Sequence, residues 1–376
     1  MSLVIHQLDV NKRAERKRFI KSQWAFYKND PKWVPPLIAE KLGDMDPSKN
    51  PFYKHSEIQL FLAERNGKTA GRIAAIVNYN HNKTHNDKLG FFGYFECEDN
   101  QETADKLFDE AAKWLRTKGM DTMRGPENPS MNDEIGLLID GYELPPLILM
   151  TYNPKYYLKL IENNGFEKSK DIYAYWLQEG YESEKLLRLK DLISKRFDIK
   201  YREVNTKNKD QFKKYINSIK EVYNSAWEPN WGFVKWTDEE MDHLAVGLKQ
   251  IADTKTAIIM DINGELAGFG IGLPDINQCL IHNKSGSLLG ALWHIVTKKK
   301  KINAARIIAL GIIPKYQNYG LDAVLYYELG HRCINQGYIN GEASWVLEDN
   351  EKMNRAATQT MNGKLYKKYR LFDKKI

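Results

Sequence analysis

One segment in the second half of the chain has the order of residue types that holds phosphate. Residues 305 to 338 read ARIIALGIIPKYQNYGLDAVLYYELGHRCINQGY: a β-branched apolar run, a loop of six or seven residues, then apolar positions at helical spacing from Leu321 to about Gln336, closed by Gly337. A loop between a strand and a helix turns its backbone N–H groups, and those of the first helical turn, toward one point, where the helix dipole adds positive potential. A diphosphate suits such a cradle. Gly320 is expected to let the anion approach the backbone closely, and Pro314 to end the strand so that the loop can turn. Asp322 falls in the first turn of the helix. There it is either an acid favoured by the dipole or, if aimed at a diphosphate, repulsive.

Other reactive side chains form no comparable pattern. His282, His294 and His331 lack metal-ligand spacing, His243 is isolated, and Cys97, Cys279 and Cys333 are far apart with no CxxC pair, so no metal is expected. No Ser-His-Asp arrangement or P-loop is present. Hydrophobic residues at 42% and charged residues at 28%, without long Ser, Gly or Pro tracts, indicate a folded chain rather than a disordered one. The net charge of +7 favours anionic partners. No signal peptide is expected at the N-terminus and no apolar run reaches 18 residues, which with the cysteine usage points to the cytoplasm.

The elements that must position the loop occur twice. FLAERNGKTAGRIAAI (residues 61–76) and AIIMDINGELAGFGIG (residues 257–272) are apolar runs broken by Asn66-Gly67 and Asn263-Gly264, the residues a tight hairpin turn demands, 197 positions apart. Upstream, Asp30-Pro31-Lys32-Trp33 answers to Glu228-Pro229-Asn230-Trp231. Downstream, GFFGYFEC (residues 90–97) and RIIALGII (residues 306–313) are strand-like, and each leads to a helix, about Glu102 to Lys118 and about Leu321 to Gln336. Asn153 and Asn350 each precede a last helix. The expected division is one unit over residues 1–180, a connecting helix within 181–199, and a second unit over 200–376. The first unit carries an acidic cluster, Glu96, Glu98 and Asp99, where the second has its loop.

The order of elements, with Gln317-x-x-Gly320-x-Asp322 after Ile313-Pro314, resembles the acyl-CoA signature of the GNAT acetyltransferase superfamily, in which Arg or Gln, x, x, Gly, x, Gly or Ala is usual. Asp322 departs from it. The resemblance covers nearly the whole chain as two copies and implies an α/β (α+β) fold, each unit a mixed, mostly antiparallel sheet flanked by helices. It implies that Gln317, Asn318, Tyr319, Gly320, Leu321 and Asp322 hold the diphosphate of acetyl-CoA or a longer acyl-CoA, and that Leu310, Gly311, Ile312 and Ile313 meet its pantetheine arm. Asn350 and Met353, with Gly165-Phe166 of the first copy, resemble the superfamily's final strand-helix motif. The first copy lacks the loop and is expected to be structural or to wall the acceptor pocket.

In an N-acyl transfer the attacking amine must lose a proton, commonly to a carboxylate acting directly or through water. Glu342, at the start of GEASWVLE, is the candidate base, against the plain reading of a solvated strand-edge glutamate, with Glu348 as second choice. A tyrosine often protonates the leaving thiolate in the superfamily, but the matching position is Ala357, so Tyr366, or Tyr369, stands as substitute. The insertion from Pro274 to Ala305 holds SLLGALWHIVTKKKK. This is either a buried helix followed by solvated lysines or, over residues 288–301, a segment lying on an anionic membrane. First-copy phrases such as GLLIDGYELPP and MTYNPKYYLKLIENNGF resemble bacterial tandem-GNAT chains, some associated with N-acylation of sphingoid bases. The expected function is therefore acyl-CoA-dependent N-acyl transfer to a primary amine, a lipid or sphingoid amine among the candidates. Rivals are a non-catalytic acyl-CoA-binding protein and a Fem-type aminoacyl transferase, the latter disfavoured by the retained phosphate loop; nucleic acid is not an expected partner.

Overall fold

A computed structural model of the chain describes residues 2–376 apart from Glu179, Glu203, Thr206 and Pro229. Pro229 of the repeated Asp-Pro/Glu-Pro pair thus lies outside the described residues. By packing the chain forms two units, each drawn from separate stretches of sequence. Unit 1 is Met1–Asp171 with Cys279–Thr297 and Lys368–Ile376; unit 2 is Ile172–Gln278 with Lys298–Lys367.

Unit 1 runs β1 (Leu3–Leu8), α1 (Arg13–Ser22), α2 (Ile38–Asp44), β2 (Ser56–Arg65), β3 (Lys68–Asn78), α3 (Tyr79–His85), β4 (Leu89–Cys97), α4 (Gln101–Thr117) and β5 (Thr122–Gly125). Short strands β6 (Glu127–Asn128), β7 (Glu134–Ile135) and β8 (Leu137–Asp140), helix α5 (Tyr157–Asn163) and the start of β9 (Glu167–Gln178) follow. Its sheet is ordered β1-β2-β3-β4-β5, antiparallel except for the parallel pair β4–β5. The amphipathic pattern read in α4 is realised: Leu107, Phe108, Ala111 and Leu115 are buried against the sheet.

Unit 2 repeats that order of elements. The rest of β9 leads to α6 (Glu184–Arg196), β10 (Ile199–Arg202), α7 (Lys209–Trp227), α8 (Asp238–Ile251), β11 (Ala257–Ile262) and β12 (Glu265–Pro274). After an insertion carrying α9 (Asn277–Leu280) and α10 (Leu288–Lys298) come β13 (Ala304–Ile312), α11 (Leu321–Asn335), β14 (Asn340–Leu347), α12 (Glu351–Arg355) and β15 (Lys364–Lys375). The sheet order is β10-β11-β12-β13-β14-β9, antiparallel except for parallel β13–β14.

Both Asn-Gly pairs form the expected hairpin turns, with Asn66, Gly67, Asn263 and Gly264 all at positive φ. The likeness goes further. Each hairpin has a bulge at the equivalent place, between Ala63 and Glu64 in β2 and between Met260 and Asp261 in β11. Strand alternation sorts the core of unit 2 into two faces: Ile258, Met260 and Ile262 pack with Leu321, Val324, Leu325 and Leu329 of α11, whereas Ile259 and Phe269 pack with Val222 of α7. Each fully buried Leu there is worth about 1.5–3 kcal/mol, enough to fix which face meets which helix.

Candidate active site

The site begins where two parallel strands part. The β13–β14 ladder runs from Ala304↔Asn340 to Ile307↔Ala343 and goes no further, while β13 continues on β12 to Ile312 and β14 continues on β9 to Leu347. Strands in the middle of a sheet are ordinarily covered on both faces. Here Ile307, Ile308, Ala309 and Leu310 are each only half-buried. The divergence therefore opens a groove along β13, with side chains alternating between its two faces. Leu310 belongs to the α11 side; at Gly311 the opposite face is closed by Trp227 of α7, whose ring would stand 2.3 Å from any Cβ placed there.

At the end of β13 the chain makes a tight turn over Pro314–Tyr316, passes Gln317, and enters α11 through Gly320 at φ +78°. Gln317 Nε2 donates back to the Ile312 carbonyl at 3.0 Å, bracing the loop, and Asn318, itself at positive φ, accepts from Lys352 Nζ at 2.9 Å. The Arg196 guanidinium lies 5.7 Å from the ring of exposed Tyr319. Exposed Gln317, Asn318 and Tyr319, a helix N-terminus and nearby Lys352 and Arg196 make a positively polarised mouth. Gly320 has a different local reason from the one expected. Besides its positive φ, a Cβ there would meet Ile193 Cδ1 at 2.6 Å, so protein already occupies the space a side chain would need. Asp322 is a half-buried acid of the first helical turn. Burial, joined by the Asp322 charge one turn earlier, pushes the Tyr326 phenol well above its ordinary value, and its hydroxyl contacts Met353 Sδ at 3.3 Å.

Glu342 is not a solvated edge residue. It lies on β14 between β13 and β9 with its side chain fully buried, and the register sets it beside Arg306 on one side and Trp176 on the other. Its carboxylate accepts from the hydroxyls of Ser344 and Tyr366 and lies 3.5 Å from Arg306 Nε, which in turn donates to Ser344 Oγ at 2.8 Å. Tyr366, half-buried, packs its ring 5.3 Å from that of Trp176. A buried carboxylate is tolerable only with such compensation. The structure thus brings together the two residues the sequence named for proton transfer, one pair before the β13–β14 ladder ends. It also supplies Arg306, Ser344 and Trp176, which the sequence reading missed. An arginine inside the apolar run of β13 was the available signal, since a charge in a central strand must find a partner.

The opposite face of the same strands holds an apolar cavity of about 610 Å³, counted with its open mouth. Ala305, Ile307 and Leu310 of β13, Gly341 and Ala343 of β14, Tyr326, Leu329 and Cys333 of α11, and Met353 all line it. Burial pushes the Cys333 thiol up to about 12, so it behaves there as a small apolar side chain. Such an apolar lining is the character of sites for small ligands.

The remaining expected residues have clear local roles. Asn350 caps α12, accepting from the Met353 amide at 3.1 Å, and Asn354 donates to the carbonyls of Leu347 and Glu348. Ala357 is fully buried, leaving no room for the superfamily's tyrosine. Tyr369 belongs to unit 1, where it pairs with Leu138 and is buried. In unit 1, β4 reaches α4 through only Glu98–Asn100; Asn100 caps the helix at Thr103 N, and Glu98 is taken by Arg65 at 2.9 Å. The N-terminus of α4 is thereby filled by its own side chains.

This architecture, one α/β unit present twice with a loop before the helix that follows the parting strand of the second, is the fold of GNAT proteins. Solved structures of that class match it at low identity: a tandem GNAT protein from the clavulanic acid biosynthesis pathway (11% identical, TM-score 0.56, 100% of this chain and 98% of that one) and a GCN5-related N-acetyltransferase from Sphaerobacter thermophilus (11%, TM-score 0.53, 99% and 95%). They share the fold. No family model matches the chain. Over the sequence itself, the chain is 33% identical across 379 residues to a bacterial ceramide synthase of Caulobacter vibrioides, covering 98% of this chain and 97% of the relative. It is 31% identical across 369 residues to Escherichia coli protein YghO, covering 96% and 93%. The chain belongs to the acyltransferase family that these two relatives represent.

Proposed function

We propose that unit 2 transfers a long acyl group from acyl-CoA to the primary amine of a lipid, a sphingoid base being the acceptor class. One observation carries the choice of a long chain: the apolar cavity that leaves the parting of β13 and β14 and runs beneath α11. Its lining is mostly apolar, which suits an aliphatic tail. The likeness to a bacterial ceramide synthase over 98% of the chain supports an acceptor of that chemistry.

In this reading the coenzyme diphosphate rests at the mouth formed by Gln317–Leu321, near Lys352 and Arg196. The pantetheine arm follows β13 past Leu310, and the acyl tail enters the cavity between Ala305, Ala343 and Leu329. The amine comes from the face that carries Glu342 and Tyr366. Its ammonium proton passes to the Tyr366 oxygen as the Tyr366 hydroxyl proton moves to the Glu342 carboxylate, Arg306 and Ser344 holding that carboxylate in place. The nitrogen lone pair then forms the new C–N bond at the thioester carbonyl carbon. A backbone N–H of β13 beyond Ile307, where the ladder to β14 has ended, is suited to receive the developing oxyanion. The nitrogen of the tetrahedral intermediate still carries two protons and gives one up to solvent; the C–S bond breaks, the thiolate leaves, and the proton held by the Glu342–Tyr366 pair goes to sulfur, giving amide, free coenzyme A and one released proton.

Incubation of the purified protein with acyl-CoA of graded chain length and sphinganine, followed by mass spectrometry of the lipid and titration of the released thiol, tests the proposal. Amide and thiol in equal amounts, with long chains favoured, are expected. Absence of amide with every chain length, despite acyl-CoA binding, would reduce the protein to a binder and overturn it.

A further inference from the structure

Helix α10 turns an apolar face outward, contrary to the reading of a buried helix. At about 100° per residue, Leu288, Leu292, Val296, Leu289 and Trp293 fall in that angular order within one arc of about 140°. These five side chains are between 51% and 80% exposed, whereas Ala291 on the other side is 1% exposed. Large apolar side chains gathered at this exposure on one helix signal a docking surface rather than scattered surface residues.

The entry to the helix is anchored. The segment leading into it is fixed to unit 1 by the Trp24 indole N–H, which donates to the Lys284 carbonyl at 2.8 Å, and by the Ile38 amide, which donates to the Gly286 carbonyl at 3.0 Å. Asn283 Nδ2 donates to the Ser287 carbonyl at 2.9 Å, closing the turn before the helix. Gly286 is required by contact: a Cβ would stand 2.6 Å from the Pro36 carbonyl oxygen. These bonds fix the segment that leads into the helix and involve none of the five apolar side chains.

The helix then ends in lysines. Lys298 closes α10 and Lys299, Lys300 and Lys301 follow directly in the chain, the last three exposed, with no acidic residue anywhere from Leu288 to Lys301. An apolar face with Trp and Leu, continued by a run of lysines with no acid in the same stretch, is the composition that lies in the plane of an anionic bilayer, rings and aliphatic chains at the acyl boundary and ammonium groups among the head groups. A second copy of this chain would have to bring acid to meet the lysines, and the same helix on a symmetric partner brings only more lysine.

We infer that α10 with the lysines after it is a monotopic docking surface for anionic membrane. It deepens the lipid-amine reading, giving the protein access to an acceptor dissolved in a bilayer, and its test is separable from that reading. The protein is sedimented with vesicles of phosphatidylcholine alone and of phosphatidylcholine containing phosphatidylglycerol. Co-sedimentation with the second kind, weakened by salt, is expected. The double substitution Leu289→Glu/Val296→Glu should lower vesicle binding about tenfold or more, and Lys299→Gln/Lys300→Gln/Lys301→Gln should remove the preference for anionic lipid. Both variants should keep the thermal stability of the parent and its stabilisation by acyl-CoA, so that loss of vesicle binding is not loss of the acyl-CoA site. Equal binding to both vesicle types, unchanged binding by the variants, or a dimer that Leu289→Glu/Val296→Glu converts to monomer without any vesicle binding would each overturn the inference.

Discussion

At the scale of the residue, the account rests on Glu342 and Tyr366. Tyr366→Phe keeps the packing on Trp176 and removes one hydrogen bond, so stability should fall by only about 1 kcal/mol while kcat falls about a hundredfold or more. Stopped assays beside thermal melts separate the two. Glu342→Gln takes the anion away from beside buried Arg306, so it should also destabilise unit 2, by about 3 kcal/mol. A variant that loses stability but keeps kcat would make the pair structural. Unit 1 offers an independent pH test. Half-buried Asp133 accepts from Ser130 Oγ at 2.5 Å, and burial lifts its carboxyl to about 7. Because its folded pKa is raised, the stability it contributes is complete in acid and is lost as pH climbs through about 7. Asp133→Asn should therefore raise the melting temperature relative to the parent near pH 8 and make little difference near pH 4. The reverse dependence would show that the carboxylate is stabilised as an anion.

At the scale of the element, the loop and helix were legible because their signals are local. Gly320, Pro314, the apolar spacing of α11 and the two Asn-Gly turns each act within a few residues, and each formed the element they specify. Gly320→Ala combines a left-handed backbone with a collision at Ile193 and should cost about 1–2 kcal/mol. It should also raise the KM for acyl-CoA more than it lowers kcat, since it deforms the mouth and not the groove. Non-local features were not legible. The burial of Glu342 depends on β9 and on Tyr366, residues remote in sequence that meet it only once the sheet is built. The exposure of α10 likewise depends on which of its sides the loop before it fixes to unit 1, which apolar spacing alone does not state.

At the scale of the whole molecule, the repeat was visible in sequence, but the membership of segments was not. Residues Cys279–Thr297 and Lys368–Ile376, read as parts of the second half, pack with unit 1, through contacts such as Phe372 against Gly125 that no periodicity foretells. The cavity is another such property, formed by two strands and a helix together. Ala343→Phe should fill it, lowering kcat/KM for palmitoyl-CoA about a hundredfold, equivalent to about 3 kcal/mol or four methylene groups, while acetyl-CoA turnover changes little. Equal losses for both substrates would place the acyl chain elsewhere. Binding precedes all of this chemistry. A ligand that binds only the folded state raises its melting temperature by an amount that grows with the logarithm of affinity, so thermal unfolding with coenzyme A, acetyl-CoA and palmitoyl-CoA tests the central claim most directly. Stabilisation by all three, largest for palmitoyl-CoA and reduced by Gly320→Ala, is the predicted result; no stabilisation by any of them would contradict the account.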